Sequence, residues 1–242
     1  MVEEAPTTWA GLALVVGPGG IGAAVAAELK RTCPDLKVLT AGRHGPPASS
    51  LQLDIENDSD LDGLSSSLHA EELPLRLVFN CSGRLHGPGL QPEKRLQQVD
   101  RSQLEQQFGI NAMAPILLAK AIEPLLQRDQ PFHFASLSAR VGSIGDNRTG
   151  GWYGYRAAKA AQNQLLRCLS IEWARRWPLA TVSLLHPGTT DTDLSRPFQS
   201  FVAADKLFSP ERAARQLVEV LLQQTPEQSG AFLAWDGQSI DW

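Results

Sequence analysis

Ser138, Tyr155 and Lys159 have the types and spacing for acid–base chemistry on a substrate oxygen. They fall in one stretch, Phe132 to Asn163, which reads FHFASLSARVGSIGDNRTGGWYGYRAAKAAQN. An apolar run ends in serines, a Gly-rich loop follows, and a helix-forming segment begins. Tyr155 and Lys159 are four residues apart, so on a helix they share one face, one turn from each other. A free phenol has a pKa of about 10 and is a poor proton donor at neutral pH. A neighbouring ammonium favours the phenolate, and the lowered pKa brings Tyr155 toward the range where general acid–base catalysis works. Ser138, just past a strand end, is placed to hold a substrate oxygen against that phenol. The bland alternative is a surface Tyr-x-x-x-Lys, a pair common by chance, so the rest of the chain has to decide.

The elements that must position these residues alternate between strand and helix patterns. Gly11 to Val16 (GLALVV) is a short continuous apolar run, as expected of a strand buried on both faces. It runs straight into Gly17-Pro18-Gly19-Gly20-Ile21-Gly22 and then into the helix formers AAVAAELKR. This is G-x-G-x-x-G in a strand–turn–helix context, the dinucleotide fingerprint. Gly17 permits the tight turn, Gly19 lets the backbone approach a pyrophosphate, and Gly22 allows close helix–strand packing. The helix start offers amide donors and a positive dipole end to phosphates. The alternative is a glycine turn with a structural role only.

Leu36 to Ala41 is the second expected strand. An NAD-binding fold places an acid about twenty residues past the fingerprint, but this chain has Ala41, Gly42 and Arg43 there. A guanidinium matches phosphate geometry, so a 2′-phosphate is the better fit, against the alternative of an ordinary surface arginine. Pro46-Pro47 and the following serines read as a turn. Leu51 to Asp54 is a short strand whose Asp54 either bonds the adenine amino group or caps the next helix. Leu75 to Asn80 ends in another glycine turn, Asn80-Cys81-Ser82-Gly83, at the strand edge where open parallel sheets bind ligands. Leu85 to Arg101 reads as a loop over that cleft.

Gln103 to Gln127 has a long helical pattern interrupted by Pro115, which cannot donate to the carbonyl of Asn111. A kink there frees that carbonyl, either to hold a water near the lysine or with no chemical role. Further strands are expected at Pro131–Leu137, Leu179–Leu185 and Ala231–Trp235, and helices at Trp152–Trp177 and from Ser209, with Pro210 at its first position. The sixth strand ends in His186-Pro187-Gly188-Thr189-Thr190-Asp191-Thr192, and Ser195 to Phe208 has the irregular composition of a mobile substrate loop.

Composition limits the function classes. With 242 residues and 43% apolar content, one large α/β domain over 1–242 is the expectation, and no linker or repeat is visible. A formal charge of −4 argues against a nucleic-acid-coating surface. Cys33, Cys81 and Cys168 show no CxxC or metal-ligand spacing, so they read as apolar residues in a reducing compartment. MVEEAPTTWA lacks the basic flank of a signal peptide. No continuous apolar run approaches the roughly 18 residues of a membrane span, and a cytoplasmic protein without membrane partners is expected.

The ordered set Gly17–Gly22, Asp54, Asn80-Cys81-Ser82-Gly83, Asn111, Ser138, Tyr155-Arg-Ala-Ala-Lys159, Pro187-Gly188 and Asp236-Gly237 resembles the short-chain dehydrogenase/reductase family from Leu12 to Trp242. The stretch around Tyr155 is similar to its C-factor-like branch. The resemblance implies a Rossmann-type, doubly wound, mostly parallel seven-stranded sheet with helices on both faces. It also implies hydride transfer between a nicotinamide and a carbonyl or alcohol substrate; Arg43 makes NADP the expected nucleotide, with NAD as the alternative. By that resemblance Tyr155 is the general acid/base, and Lys159 lowers its pKa and binds the nicotinamide ribose. Ser138 holds the substrate oxygen, and Asn111 supports a proton relay through its carbonyl. Pro187, Gly188, Thr190 and Thr192 face the nicotinamide amide. A homodimer or homotetramer is implied by analogy. The glycine loop is one residue shorter than the family's usual T-G-x-x-x-G-x-G, and Val16 stands for its threonine. The competing class is a non-catalytic nucleotide-binding or signalling protein on the same fold.

Overall fold

The structure is a computed structural model that describes residues 9–45 and 50–242; the turn expected at Pro46-Pro47 lies outside them. Its main sheet has seven parallel strands: β1 (Gly11–Val16), β2 (Leu36–Gly42), β3 (Leu51–Gln52), β4 (Leu75–Asn80), β5 (Phe132–Leu137), β6 (Ala180–His186) and β9 (Ala231–Ala234). Their spatial order is β3-β2-β1-β4-β5-β6-β9, so the winding reverses between β1 and β4. A two-stranded ribbon, β7 (Thr189–Thr190) with β8 (Leu207–Phe208), was not foreseen from the sequence. Its β8 closes the segment expected to be a substrate loop, Ser195 to Phe208, and ties that end to β7; the segment itself forms 3-10 turns at Arg196–Phe201 and Ala204–Lys206.

The continuous apolar strands are explained by two cores. Leu12, Leu14 and Val16 of β1 point into one layer with Val78, Phe134 and Trp173. Ala13 and Val15 point into the other with Leu77, Phe79 and Ala135. Period-two alternation therefore feeds both faces, and neither face can be polar. Helices α1 (Ile21–Thr32) and α6 (Pro210–Gln223) cover the second layer through Val25, Leu29, Leu217 and Leu221. Helices α2 (Asp58–His69), α4 (Ala114–Ile122) and α5 (Tyr153–Arg176) cover the first. There Trp173 of α5 meets Phe132 and Phe134 edge-on, with ring centroids 5.7 and 6.1 Å away. Ser209 caps α6 by accepting from Arg212 N at 3.2 Å, with Pro210 in the first turn as expected.

The expected 103–127 helix is broken into three helical forms. Helix α3 (Arg101–Phe108) passes through a π-helical turn, Gly109–Met113, into α4, and a 3-10 turn follows at Glu123–Leu125. Ala114 N donates to Gly109 O, five residues back. Pro115 has no N–H for Asn111 O, and the helix takes up the defect as an extra residue in one turn. Taken as one run, Arg101–Leu125 is by length and mean hydropathy apolar enough to cross a membrane, although it holds no continuous apolar run of that length. Its Ala114, Leu118, Ala119 and Ile122 are at most 1% exposed and belong to the same core as Val78 and Phe134.

His133 of β5 is a neutral core residue. It is 2% exposed, its Nε2 lies 2.8 Å from Ser183 Oγ, and burial pushes its pKa from 6.5 down to about 3. Below the ordinary value the unfolded chain takes up a proton that the folded chain refuses, so stability is lost as pH falls from 6.5 toward 3. Between about pH 6.5 and 5 this costs roughly 2 kcal/mol. Equilibrium denaturation at several pH values is expected to show a shallower acid dependence in His133→Gln, by about that amount, whatever the variant's stability at neutral pH.

Candidate active site

All the loops that carry the candidate residues leave the sheet at its C-terminal edge, on both sides of the point where the winding reverses. A cleft of about 1630 Å³ lies along that edge. That exceeds a typical small-ligand pocket of roughly 300–1,000 Å³ and leaves room for a dinucleotide and a second molecule. Gly17, Gly19, Gly20, Ile21, Arg43, Asp54, Cys81, Ser82, Gly83, Ser138, Tyr155, Lys159, Pro187, Gly188, Thr190 and Thr192 line it. Gly22, Asn80 and Asn111 stand behind the wall and act on the residues that form it.

The glycine loop has the cradle that phosphates require. Gly17 has φ +82°, and a Cβ there would meet the Ser82 N at 2.8 Å. A Cβ on Gly22 would come within 2.0 Å of Gly17 O, so the helix packs directly on the turn. A Cβ on Gly19 would meet nothing within 4 Å, which marks the open side of the cradle at the start of α1. On the far side Thr192 closes down, and its Cγ2 would be 2.9 Å from a Cβ on Gly20. Arg43 is exposed at the cleft margin after β2. Asp54 lines the cleft, and its Oδ1 accepts from Glu56 N at 3.0 Å. It does not cap α2, because Asn57 does so by accepting from Ser59 N and Asp60 N at 2.9 and 3.3 Å. These residues fit a nicotinamide dinucleotide.

Tyr155 and Lys159 project from the first turns of α5 and are 7% and 3% exposed. The Lys159 Nζ is 5.9 Å from the Tyr155 ring centroid. It donates to Leu137 O at 2.9 Å and to Gln162 Oε1 at 2.8 Å. Burial shifts both groups toward their neutral forms. It pushes the Tyr155 phenol above its ordinary value and the Lys159 amine down to about 7. The expectation that the ammonium lowers the phenol is therefore reversed in this arrangement, because desolvation outweighs a charge that is turned toward its own acceptors. Ser138 follows β5, as expected, and donates to Asn163 Oδ1 at 2.6 Å. Asn163 Nδ2 is buried without a partner.

Asn111 is fully buried in the π turn. Its side chain clamps the loop after β4, with Nδ2 donating to Arg84 O at 2.8 Å and Oδ1 accepting from Arg84 N at 3.1 Å. A Cβ on Gly83 would meet Asn111 Oδ1 at 3.1 Å and Lys159 Nζ at 3.7 Å, so the π turn and the lysine converge on that glycine. Asn80 Oδ1 accepts from Ser82 N at 3.1 Å, and its Nδ2 donates to Ser136 Oγ at 3.0 Å.

Several residues of the site escaped the sequence reading. Trp152, expected as the first helical residue, is instead the left-handed N-cap of α5 at φ 52°, ψ 44°. Its ring packs on Phe198 at 4.8 Å and edge-on to Tyr155 at 6.4 Å. Phe198 in turn meets His86 at 6.0 Å. Glu93 is 3% exposed and accepts from Gly154 N at the helix start, at 3.2 and 3.3 Å. Nothing in local spacing marks Glu93, because its partner is 61 residues away. Gln162 and Asn163 were within reach of the sequence, as polar residues on the apolar side of an amphipathic helix.

Fold and cleft define an α/β nucleotide-binding protein of the doubly wound class. A family model described as "Enoyl-(Acyl carrier protein) reductase" matches residues 18–239. The chain is 30% identical over 190 residues to a 1-hydroxy-2-glutathionyl-2-methyl-3-butene dehydrogenase of Rhodococcus sp. (strain AD45), covering 78% of each. It is 33% identical over 147 residues to the C-signal of Myxococcus xanthus, covering 61% of this chain and 83% of that one. The carbonyl reductase Sniffer of D. melanogaster superposes with TM-score 0.82 at 23% identity, over 97% of this chain and all of the other. A short-chain dehydrogenase/reductase from Burkholderia multivorans with bound NADP superposes at 0.76 and 23%, over 96% and 99%. The chain belongs to the short-chain dehydrogenase/reductase family, whose members are nicotinamide-dependent oxidoreductases.

Two alanine variants separate the two uses of glycine in the loop. Gly22→Ala forces a methyl against Gly17 O and is expected to cost about 1–3 kcal/mol of stability. Gly19→Ala meets no protein atom, so its thermal unfolding stays near the parent's while its affinity for NADPH falls, as read by fluorescence titration. An unfolding temperature lowered equally in both would contradict the assignment of the open side.

Proposed function

We propose that the chain is an NADPH-preferring reductase of a carbonyl compound, also able to run the reverse alcohol oxidation, with Ser138, Tyr155 and Lys159 at the reacting end. The observation that carries this reading is the convergence of the three side chains, each at most 7% exposed, on one wall of a dinucleotide-sized cleft. When bound, the reduced nicotinamide supplies the hydride. Tyr155 gives its proton to the substrate oxygen, against a phenol pKa that burial holds above its ordinary value in this structure. Ser138 orients the same oxygen. As it stands, its hydroxyl proton is spent on Asn163 Oδ1. A half-turn of the Asn163 amide brings the unpartnered Nδ2 onto Ser138 Oγ and releases the hydroxyl to the substrate.

Lys159 has a third N–H beyond the two in use and offers it to the nicotinamide ribose. The Asn111 carbonyl, which Pro115 cannot reach as a donor, takes the water of a proton relay. Pro187, Gly188, Thr190 and Thr192 face the nicotinamide amide. Asn80 holds the loop of Cys81, Ser82 and Gly83 against the cofactor. The protein works as one domain, in the cytoplasm, as a dimer or tetramer. A non-catalytic, nucleotide-binding signalling role is the second reading, favoured by the likeness to the C-signal.

Tyr155→Phe decides between the two readings. It keeps the ring and removes the proton, so turnover of whichever carbonyl the parent reduces is expected to fall at least about a hundredfold, with NADPH still bound. The measurement is NADPH oxidation across a panel of aldehydes and ketones. Full turnover in the Phe variant, or none by the parent on any of the panel, would remove the catalytic reading.

Arg43 sets the nucleotide preference in this account. A 2′-phosphate beside it gains charge-assisted hydrogen bonds that NAD lacks. The guanidinium is exposed, so solvent screening holds the gain to about tenfold. The ratio of kcat/KM for NADPH over NADH is expected to drop by about that factor in Arg43→Ala; a ratio that does not move makes Arg43 a plain surface residue.

A further inference from the structure

Behind Lys159 lies a chain of buried amides and hydroxyls whose hydrogen-bond directions are fixed by the backbone. Gln162, three residues on along α5, is 0% exposed. Its Nε2 donates to Ser136 Oγ at 2.8 Å and to Leu137 O at 3.2 Å, and its Oε1 accepts from Lys159 Nζ at 2.8 Å. Leu137 O also accepts from Lys159 Nζ, at 2.9 Å. A carbonyl oxygen has no proton to give, so the amide must turn its NH₂ toward Leu137 and its oxygen toward the lysine. The far end is pinned in the same way. Ser82 N donates to Asn80 Oδ1, which turns Asn80 Nδ2 onto Ser136 Oγ. The reverse orientation of Gln162 would set an NH₂ against the ammonium.

We propose that Gln162 is the positioning residue of Lys159: its amide oxygen holds one ammonium N–H, Leu137 O holds a second, and a single donor is left to face the cleft. Through Ser136 and Asn80 the same amide ties the lysine to Ser82 on the opposite wall. The arrangement has a physical cost that a positional requirement explains. A fully buried glutamine on the core side of a helix replaces an apolar residue, and every one of its polar groups must be satisfied. The other neighbours of Lys159 do not compete for the ammonium. Tyr155 is a titratable group beside it, and Gly83, Gly142 and the Asn111 amide near Gly83 are uncharged. This inference rests on the proposed function only for the identity of the cleft's ligand.

The test follows Lys159 itself by NMR, in protein labelled with ¹³C at the lysine ε-carbons and with the signal assigned by its loss in Lys159→Met. Gln162→Met keeps length and packing but removes the acceptor. The titration midpoint of Lys159 is expected to fall by about one pH unit, the equivalent of one hydrogen bond to a charged group. NADPH affinity is expected to weaken about tenfold in the same variant. Gln162→Glu restores an acceptor and adds a charge, so the midpoint is expected to rise above the parent's. If Gln162 has only a packing role, the Met variant leaves the Lys159 midpoint and the NADPH affinity where they are, and a midpoint unmoved in that variant overturns the proposal. If Gln162→Met does not fold, Gln162→Leu, which also removes the acceptor, decides by the same criterion. A shifted midpoint in a protein that reduces no carbonyl leaves the Gln162 assignment standing and removes the reductase reading alone.

Discussion

A primary amine that is 3% exposed in a core must find acceptors or lose its proton. Much of the local structure follows from that constraint on Lys159. Its acceptors come from the last residue of β5 and from the next turn of α5, so strand and helix must approach closely. Gly142 permits this, since a Cβ there would sit 2.9 Å from the Lys159 Cβ. Gly83 permits the approach from the other side, where the π turn brings in Asn111. The Tyr155 phenol, one turn earlier on the same helix, is buried by the same packing.

The parallel sheet does the rest of the positioning. The strands of the sheet all run the same way, so the ends of β1, β2, β4, β5 and β6 open on one edge. That edge differs in sign from the chain as a whole. The sequence carries a formal charge of −4, yet Lys and Arg outnumber Asp and Glu eight to four along the cleft wall. Part of this is neutralised locally, by Arg140 with Asp146 at 3.1 Å and Arg196 with Asp193 at 2.7 Å. The remaining positive potential suits a ligand rich in phosphate.

The substrate side is assembled from segments distant in sequence. Trp152, in a backbone region that costs roughly 1–2 kcal/mol for a side chain of its kind, is held there because Glu93 O accepts its N–H and Phe198 packs on its ring. His86 joins the same cluster, and its Nε2 lies 3.1 Å from Asp193 O. The segments around 86–93, 140–152 and 190–205 therefore form one rim beside Tyr155, bound by ring contacts and backbone hydrogen bonds.

The sequence by itself determined the fold class, the positions of the main strands along the chain and the place of Ser138, Tyr155 and Lys159 at the ends of their elements. Those features are local: apolar runs of strand length, a glycine turn entering a helix, and a four-residue spacing on one helical face. It also located the defect at Pro115, since a missing N–H is a property of the residue, but it did not say that a π turn would absorb it. The tertiary structure alone decided the direction in which the Tyr155 and Lys159 pKa values shift, because desolvation depends on everything packed around them and reversed the shift of Tyr155 that proximity implies. It alone assigned the helix cap to Asn57 rather than Asp54 and brought Glu93 to the start of α5. It alone placed the Gln162 amide between Lys159 and β5, since the direction of a buried hydrogen bond is fixed by partners that spacing along the chain does not reveal.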